Sequence, residues 1–203
     1  MKKMNLFAVV LMMTAAVLTS CGAKKQVAQS SSNNAGGNPF GETYSMPCEV
    51  YDTPQQFAAT GIFRGSSNQK GEVQKNALLN AQDIVRLKMK HAYKGMVSEY
   101  SSSVGNNKGN DIERKMTSAG DRIIDKIINE TAQSCTRWSS VESDGHITCY
   151  TAIQISKQET AQKIAQEIED KLTQEEKDRI SFNEYSYRKQ MEERFQNYKD
   201  EHK

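Results

Sequence analysis

The chain has 203 residues, of which 26% are charged and 36% hydrophobic, and its 27 Lys and Arg against 25 Asp and Glu give a formal net charge of +2. A charge so close to balance gives no reason to expect a nucleic-acid partner or binding to a membrane through a polybasic surface. The length suffices for one domain with a hydrophobic core and additional tails.

The first 21 residues predict an export signal that ends in a lipidated cysteine. Lys2 and Lys3 precede an apolar run over residues 6–18, which is shorter than the roughly 20 residues of a membrane-spanning helix and typical of a secretory signal. The tetrad LTSC at 18–21 resembles a bacterial lipobox, in which the thiolate of the cysteine, here Cys21, takes up diacylglycerol. The alternative is an ordinary secretory signal with a chance cysteine.

Cleavage after Ser20 removes two cations and leaves 25 basic and 25 acidic residues, so the mature chain has no net charge. Its first residue, Cys21, would carry the acyl chains, palmitate among them, that anchor the protein to a membrane. Residues 21–43 are rich in Gly, Ser and Asn, and we predict that they form a flexible linker with an r.m.s. span of about 25 Å. We expect no cofactor apart from the covalent lipid.

Residues 44–156 predict a small α+β domain that begins with a strand and a helix. The apolar and aromatic segment 56–65 predicts the strand, in which Gly61 indicates a bulge or the close approach of another backbone. A helical period follows over residues 72–99, where small residues such as Ala77 would let the helix lie close against a sheet. The apolar stripe of this helix consists of Leu78, Ala81, Val85, Met89, Ala92 and Met96.

A second helix is predicted over residues 111–133, after a Gly- and Asn-rich loop at 101–110. Asn110 or Asp111 would cap its N-terminus. The apolar stripe is broad, as expected of a helix that is buried on one side. It consists of Ile112, Met116, Ala119, Ile123 and Ile127, widened by Ile124 and Ile128.

A β-hairpin is predicted over residues 136–155, because Asp144-Gly145 favours a two-residue type I′ turn. In that register the numbers of paired residues sum to 289, so that Trp138 lies opposite Thr151. The alternation of the second strand then predicts a core face shared with Trp138. This face contains Ile147, Cys149, Thr151, Ile153 and Ile155.

Three cysteines remain after lipidation, which in an oxidising compartment predicts one disulfide and one spare thiol. In the predicted register Cys135 and Cys149 are about 17 Å apart along the strands, which is too far for a bond between them. We therefore expect Cys48 to form the disulfide. Cys135 is the favoured partner because Cys149 points into the core, and Cys149 is the alternative.

Residues 157–203 predict a long, highly charged C-terminal helix, with a short apolar stripe of Ile164, Ile168 and Leu172 and a capping box at 173–176. A sparse aromatic face follows, which cannot form a core alone. Either the tail is an interaction arm, whose aromatic face binds a groove on a partner protein, or it folds back onto the domain as one more amphipathic helix. The aromatic face contains Phe182, Tyr185, Phe195 and Tyr198, together with Met191.

Three segments resemble a known family: AATGIFRG at 58–65, QKNALLNAQ at 74–82, and Trp138 followed by CYTAIQIS at 149–156. Together they resemble the LPP-20 lipoprotein family, which is also similar to the N-terminal domain of a flagellar-assembly protein. The resemblance covers roughly residues 53–156, and the tail departs from it. It implies an outer-membrane lipoprotein in a Gram-negative envelope and implies no catalytic residue.

No enzyme signal emerges from the polar residues. His91, His146 and His202 are scattered, so we can propose no Ser-His or Cys-His pair, and no zinc-ligand spacing is present. The loop before the second helix offers only Asp111 as a carboxylate, too few for calcium, and Glu113 is a helix-face charge. We expect no metal site and no catalytic residue.

The sequence therefore predicts a non-enzymatic, outer-membrane-anchored lipoprotein that acts through protein contacts at the periplasmic face. Gly22, after the lipidated cysteine, lacks the Asp that the best-known sorting rule associates with inner-membrane retention. Surface display is the alternative location. The alternative function is an envelope lipoprotein that binds a small molecule or glycan between its helices and sheet.

Overall fold

The computed structural model describes residues 45–103 and 110–201. The mixed helical and sheet architecture confirms the predicted α+β class. A single 3-10 turn joins the first strand to the first helix. The elements are β1 (Gln56–Ser66), α1 (Lys70–Ser103), α2 (Asn110–Glu130), β2 (Cys135–Trp138), β3 (His146–Ser156), α3 (Lys157–Lys171), α4 (Gln174–Arg179) and α5 (Glu184–Glu201).

The three strands form one antiparallel sheet in the order β1-β3-β2. Strand β1 pairs with β3 along its whole length, and Gly61 lies opposite Thr151 in an unbroken register, so the predicted alternative of a bulge is wrong. The close approach is confirmed, because a Cβ on Gly61 would lie 2.1 Å from the carbonyl oxygen of Ala77 and 2.3 Å from the amide nitrogen of Ala81. Glycine is required here for the helix to contact the strand.

Helix α1 is the central element, since it packs against the sheet on one side and against α2 and α5 on others. Of its predicted stripe, Leu78 is partly buried and the remaining five residues are buried. Helix α2 buries its predicted stripe in the same way, with Ile127 partly buried. Helix α1 extends to Ser103 and α2 begins at Asn110, so the rest of the predicted loop lies outside the described residues.

The hairpin differs from its prediction at the turn and in its register. Trp138 lies opposite Cys149, so paired numbers sum to 287 rather than 289. The amide of Gly145 donates to the Glu142 carbonyl, and Gly145 alone of the turn residues has a positive φ, of 78°. The connection is therefore longer than a type I′ turn. Because the sum of the paired residue numbers changes by two, an even number, every side chain stays on the predicted face of the sheet. The predicted core face is therefore confirmed.

The tail is helical as predicted, but it divides into three helices. Helix α3 ends where Leu172 adopts an extended backbone. The predicted capping box then starts α4, with the Thr173 hydroxyl accepting from the Glu176 amide and the Glu176 carboxylate accepting from the Thr173 amide. Ser181 has a φ of 47° before α5 begins. These two local breaks let α5 turn back along α1.

Candidate functional site

A short segment before β1, residues 48–52, crosses the face of the sheet that points away from α1, and we call it the strap. In the sheet register Thr60, Ala152 and Cys135 form one row across the three strands. The Thr60 hydroxyl donates to the Cys48 carbonyl at 2.6 Å, and Cys48 forms a disulfide with Cys135. The strap thus passes over the small Ala152 and links the two edge strands.

The predicted disulfide Cys48–Cys135 is confirmed, and Cys149 is a buried free thiol on the opposite face. In the observed register Cys135 pairs with Ala152, three residues from Cys149. That offset corresponds to about 10 Å, and a disulfide needs Cα atoms within about 7 Å. The argument against a Cys135–Cys149 bond therefore survives the error in register.

The outward-facing backbone of β1 is covered by side chains along part of the strand. The Ala58 amide donates to Asp52 Oδ1 at 2.8 Å, and Lys88 Nζ donates to the Ala58 carbonyl at 2.8 Å. Further along, Asn80 Nδ2 donates to the Ile62 carbonyl at 2.8 Å. Groups already paired in this way oppose the addition of another strand at this edge.

The predicted interaction residues do not form an exposed arm. Phe195 is fully buried and Tyr198 is 8% exposed, and both contact the Phe57 ring edge-on, with centroids 5.2 and 5.8 Å apart. Phe182 is partly buried, packed against Tyr100. The arm alternative is therefore wrong for these three residues, because α5 lies along α1 and buries its aromatic side.

Tyr185 is the exception, since it is 62% exposed at the start of α5. Its ring lies 5.5 Å from the guanidinium carbon of Arg188. The sequence interpretation also missed Tyr187, which is fully buried. The spacing of Tyr187, Met191 and Phe195 by four residues each was the signal that would have placed it on the core face.

Tyr187 belongs to a buried tyrosine pair that joins the tail to the domain. Its hydroxyl lies 3.0 Å from that of Tyr93, which in turn donates to the Met116 carbonyl at 2.9 Å. Gly120 makes room for the Tyr93 ring, because a Cβ there would lie 2.1 Å from a ring carbon. Burial raises the pKa of both tyrosines, so they stay neutral and act as structural hydrogen-bonding groups.

The two histidines that the structure describes, His91 and His146, lie on different elements and do not form one site. His91 is exposed on α1, next to the Tyr198 ring, and His146 lies at the hairpin with Nδ1 3.1 Å from Asp144 Oδ1. Glu113 and Asp121 are half-buried carboxylates of α2 that line the same surface depression of that helix. His202 lies outside the described residues. Across residues 45–103 and 110–201, no group of His, Cys, Asp and Glu could hold a metal ion.

A polar crevice of about 280 Å³ lies where the end of α2, the end of β3 and the start of α3 meet. Its lining includes Glu130, Gln154, Glu159 and Lys163. Carboxylates and an ammonium group therefore line one small space, whose volume suits a polar fragment rather than a large cofactor.

The predicted cleavage site at Ser20 and lipidation site at Cys21 lie outside the described residues, as does the linker. None of the helices that the structure describes has the length and apolar character needed to cross a membrane. No protein-family model matches the sequence, and neither the curated proteins nor the solved structures contain a detectable relative.

Proposed function

We propose that this chain is a non-enzymatic lipoprotein, anchored through Cys21 to the outer membrane of a Gram-negative cell, and that its domain acts through protein contacts in the periplasm. The observation that carries the proposal is the LTSC tetrad placed directly after a basic start and a short apolar run. The cysteine in that tetrad supplies the thiolate that lipidation requires.

Two further observations support export. The Cys48–Cys135 disulfide suits an oxidising compartment such as the periplasm. The resemblance of residues 58–65, 74–82 and 149–156 to the LPP-20 lipoprotein family agrees with an outer-membrane lipoprotein. Protein contacts are favoured over catalysis because the histidines are dispersed and the buried tyrosines are committed to packing.

The lipid anchor is tested by Cys21→Ala in the full chain, with Ser20→Ala as the matched control that keeps a small residue before the cleavage site. We expect the native chain and Ser20→Ala to fractionate with membranes and to show an intact mass that fits the acylated chain from Cys21 onward. Cys21→Ala should lose the acyl mass and the membrane fraction. An unmodified Cys21 in the native protein would refute the proposal.

The side of the membrane is tested by protease treatment of intact cells. A periplasmic domain stays intact until the outer membrane is permeabilised, whereas a surface-displayed domain is lost at once. Separation of inner and outer membranes on a density gradient tests the sorting expected from Gly22. Crosslinking in whole cells followed by mass spectrometry then identifies the protein partner.

The crevice between α2, β3 and α3 favours one alternative, a lipoprotein that binds a small polar molecule or glycan fragment. A native mass spectrum of the protein purified from its host would then show a reproducible additional mass. Lys163→Ala should remove that mass, while Lys189→Ala, an exposed lysine on α5, should retain it. A native mass equal to that of the acylated chain alone would rule out this alternative.

A further inference from the structure

Two crevices lie end to end between α2 and α3, and together we call them the seam groove. The polar crevice of about 280 Å³ lies where the end of α2 meets the start of α3, and a second one, of about 240 Å³, lies between the middle of α2 and the end of α3. Ile127 of the first crevice is one helical turn from Ile123 of the second. Lys163 of the first is likewise one turn from Glu167 of the second. The seam groove is therefore one continuous depression between antiparallel helices.

The charged side chains along the seam groove form one row on each helix, with a spacing of four residues that places them on one face. The row on α2 is Arg122, Lys126 and Glu130. The row on α3 is Glu159, Lys163, Glu167 and Lys171. The opposite charges in the middle of the α3 row offset each other. One end of the groove is therefore acidic, with a carboxylate from each helix, and the other end is basic, with three cations.

The charges of the seam groove are not committed to ion pairs. On another side of α2, Asp125 pairs with Arg86 at 3.0 Å and with Lys90 at 2.9 Å. Among the ion pairs that residues 45–103 and 110–201 form with one another, none includes a member of either row. An acidic end and a basic end that are both available suit a ligand with two complementary charges.

The distance between the two ends limits the class of ligand. Glu130 and Arg122 are eight residues apart on α2, which is about 12 Å along the helix. Glu159 and Lys171 are twelve residues apart on α3, which is about 18 Å. The adjacent opposite charges of a free amino acid cannot reach both ends, and a neutral glycan has no charge to offer. An extended peptide covers about 3.3–3.6 Å per residue, so the terminal ammonium and carboxylate groups of about four or five residues span this distance.

The floor of the seam groove also suits a peptide. Ala119 and Ile123 are buried and Ile127 is partly buried, so they supply apolar surface for peptide side chains. Thr131 and Gln154 line the first crevice and carry side-chain donors and acceptors that peptide groups can use. The volumes of the two crevices have room for a few residues in extended form but not for a folded domain.

We propose that the seam groove binds a linear peptide of about four or five residues with free ends. The amino end of the peptide lies at Glu130 and Glu159. Its carboxyl end lies at Arg122, Lys126 and Lys171. The inference rests on the ligand-binding alternative proposed above, because it names the ligand class of that crevice and extends the site along α3. It does not depend on the lipid anchor.

The test is equilibrium dialysis of the mature full-length protein, in detergent, against pentapeptides of random neutral residues. Three mixtures are compared: one with free ends, one acetylated at the amino end and one amidated at the carboxyl end. Each modification removes one terminal charge. We expect each to weaken binding to the native protein by about fivefold, the upper range for exposed ion pairs.

Charge-neutral variants assign each end of the peptide to one end of the seam groove. In Lys126→Gln/Lys171→Gln, amidation should lose most of its effect while acetylation still weakens binding. In Glu130→Gln/Glu159→Gln, acetylation should lose its effect while amidation keeps it. Lys189→Gln, which replaces an exposed lysine on α5, is the matched control and should bind all three mixtures like the native protein. All of these side chains are exposed, so the fold should survive, and thermal denaturation checks this.

Equal binding of free and blocked peptides would overturn the inference, and so would an end preference that none of these variants changes. A mass that co-purifies with the native protein, is lost in Lys163→Ala and is not a peptide would also overturn it, while the small-molecule alternative would stand. The lipid anchor is judged separately by the acyl mass on Cys21, which these variants leave unchanged.

Discussion

Helix α1 is buried from two sides by opposite means. Toward the sheet its partners are small, and the backbone of Gly61 lies directly against Ala77 and Ala81. Toward the tail its partners are large, and the ring of Tyr100 meets Phe182 and Tyr187 edge-on with centroids 6.3 and 5.1 Å apart. The interface with the sheet requires a residue without a Cβ atom at position 61, whereas the interface with the tail requires large aromatic rings.

This difference predicts opposite sensitivities. An added methyl group disrupts the sheet side because the backbone it would meet cannot move away, whereas the tail side loses stability when rings are removed. The C-terminal aromatic residues pack on the tail side. Substitutions of these residues therefore test whether the tail belongs to the core.

The largest effect is expected from Phe195→Ala in α5, which should destabilise the domain by about 3–5 kcal/mol because a fully buried ring leaves a cavity beside Phe57. Tyr185→Ala, an exposed aromatic on the same helix, should stay within about 0.5 kcal/mol. Chemical denaturation of both variants measures the difference. Equal midpoints for the two variants would show that α5 does not pack as a core helix.

On the sheet side, Gly61→Ala should cost about 3 kcal/mol, at the upper end of overpacking, because the added Cβ meets backbone atoms on both Ala77 and Ala81. Gly71→Ala is the matched control in α1, where a Cβ meets nothing within 4 Å. That control should be neutral or stabilising by at most about 1 kcal/mol. A much smaller loss of stability in Gly61→Ala would mean that α1 can move away from β1.

The disulfide of the strap stabilises the fold by restricting the unfolded chain, not by packing against α1. Cys48→Ser removes a bond that spans 87 residues, and native disulfides of this kind contribute about 2–4 kcal/mol. Cys135→Ser and the double variant should show the same loss, because either substitution opens the same bond. Thermal denaturation of the three variants, compared with the native protein under reductant, checks this equality, and additive losses would contradict the pairing.

The sheet side was largely predictable from the sequence because its signals are local and periodic. The α1 stripe, the alternation of β3 and the isolated Gly61 each indicate a face or a contact without knowledge of the rest of the chain. The disulfide was predictable for a similar reason, since alternation places Cys135 and Cys149 on opposite faces in any register that differs by two.

The tail side was less predictable because its packing depends on distant residues. The aromatic residues of α5 are sparse on a charged helix, and their partners, such as Phe57 and Tyr100, lie about 90 or more residues earlier in the chain. Nothing local distinguishes such a face from a partner-binding surface. The hairpin register failed for a different reason, because Asp144-Gly145 also fits a longer turn in which only the glycine has a positive φ.

The smallest effect concerns the hairpin tip, on the sheet side. Hydrogen bonds from the His146 amide and then from Arg64 lower the pKa of Asp144 from 3.8 to about 2. A carboxyl whose pKa is lower in the folded state stabilises the fold above its unfolded pKa, and this contribution disappears as the pH falls through the folded value. Asp144 is exposed, so we expect only a small contribution, one that is present at neutral pH and vanishes between about pH 4 and pH 2.

The native protein should therefore be slightly more stable than Asp144→Asn at neutral pH, and this difference should disappear as the pH falls from about 4 to about 2. Denaturation midpoints of both proteins at a series of pH values measure it. Arg64→Gln distinguishes the two causes. Because the bond from the His146 amide, at 3.0 Å, is the larger one, this variant should keep most of the pH dependence that Asp144→Asn removes. If Arg64→Gln removed all of it, the ion pair rather than the turn backbone would hold the carboxylate. The hairpin tip would then be stabilised from β1 across the sheet rather than by its own turn.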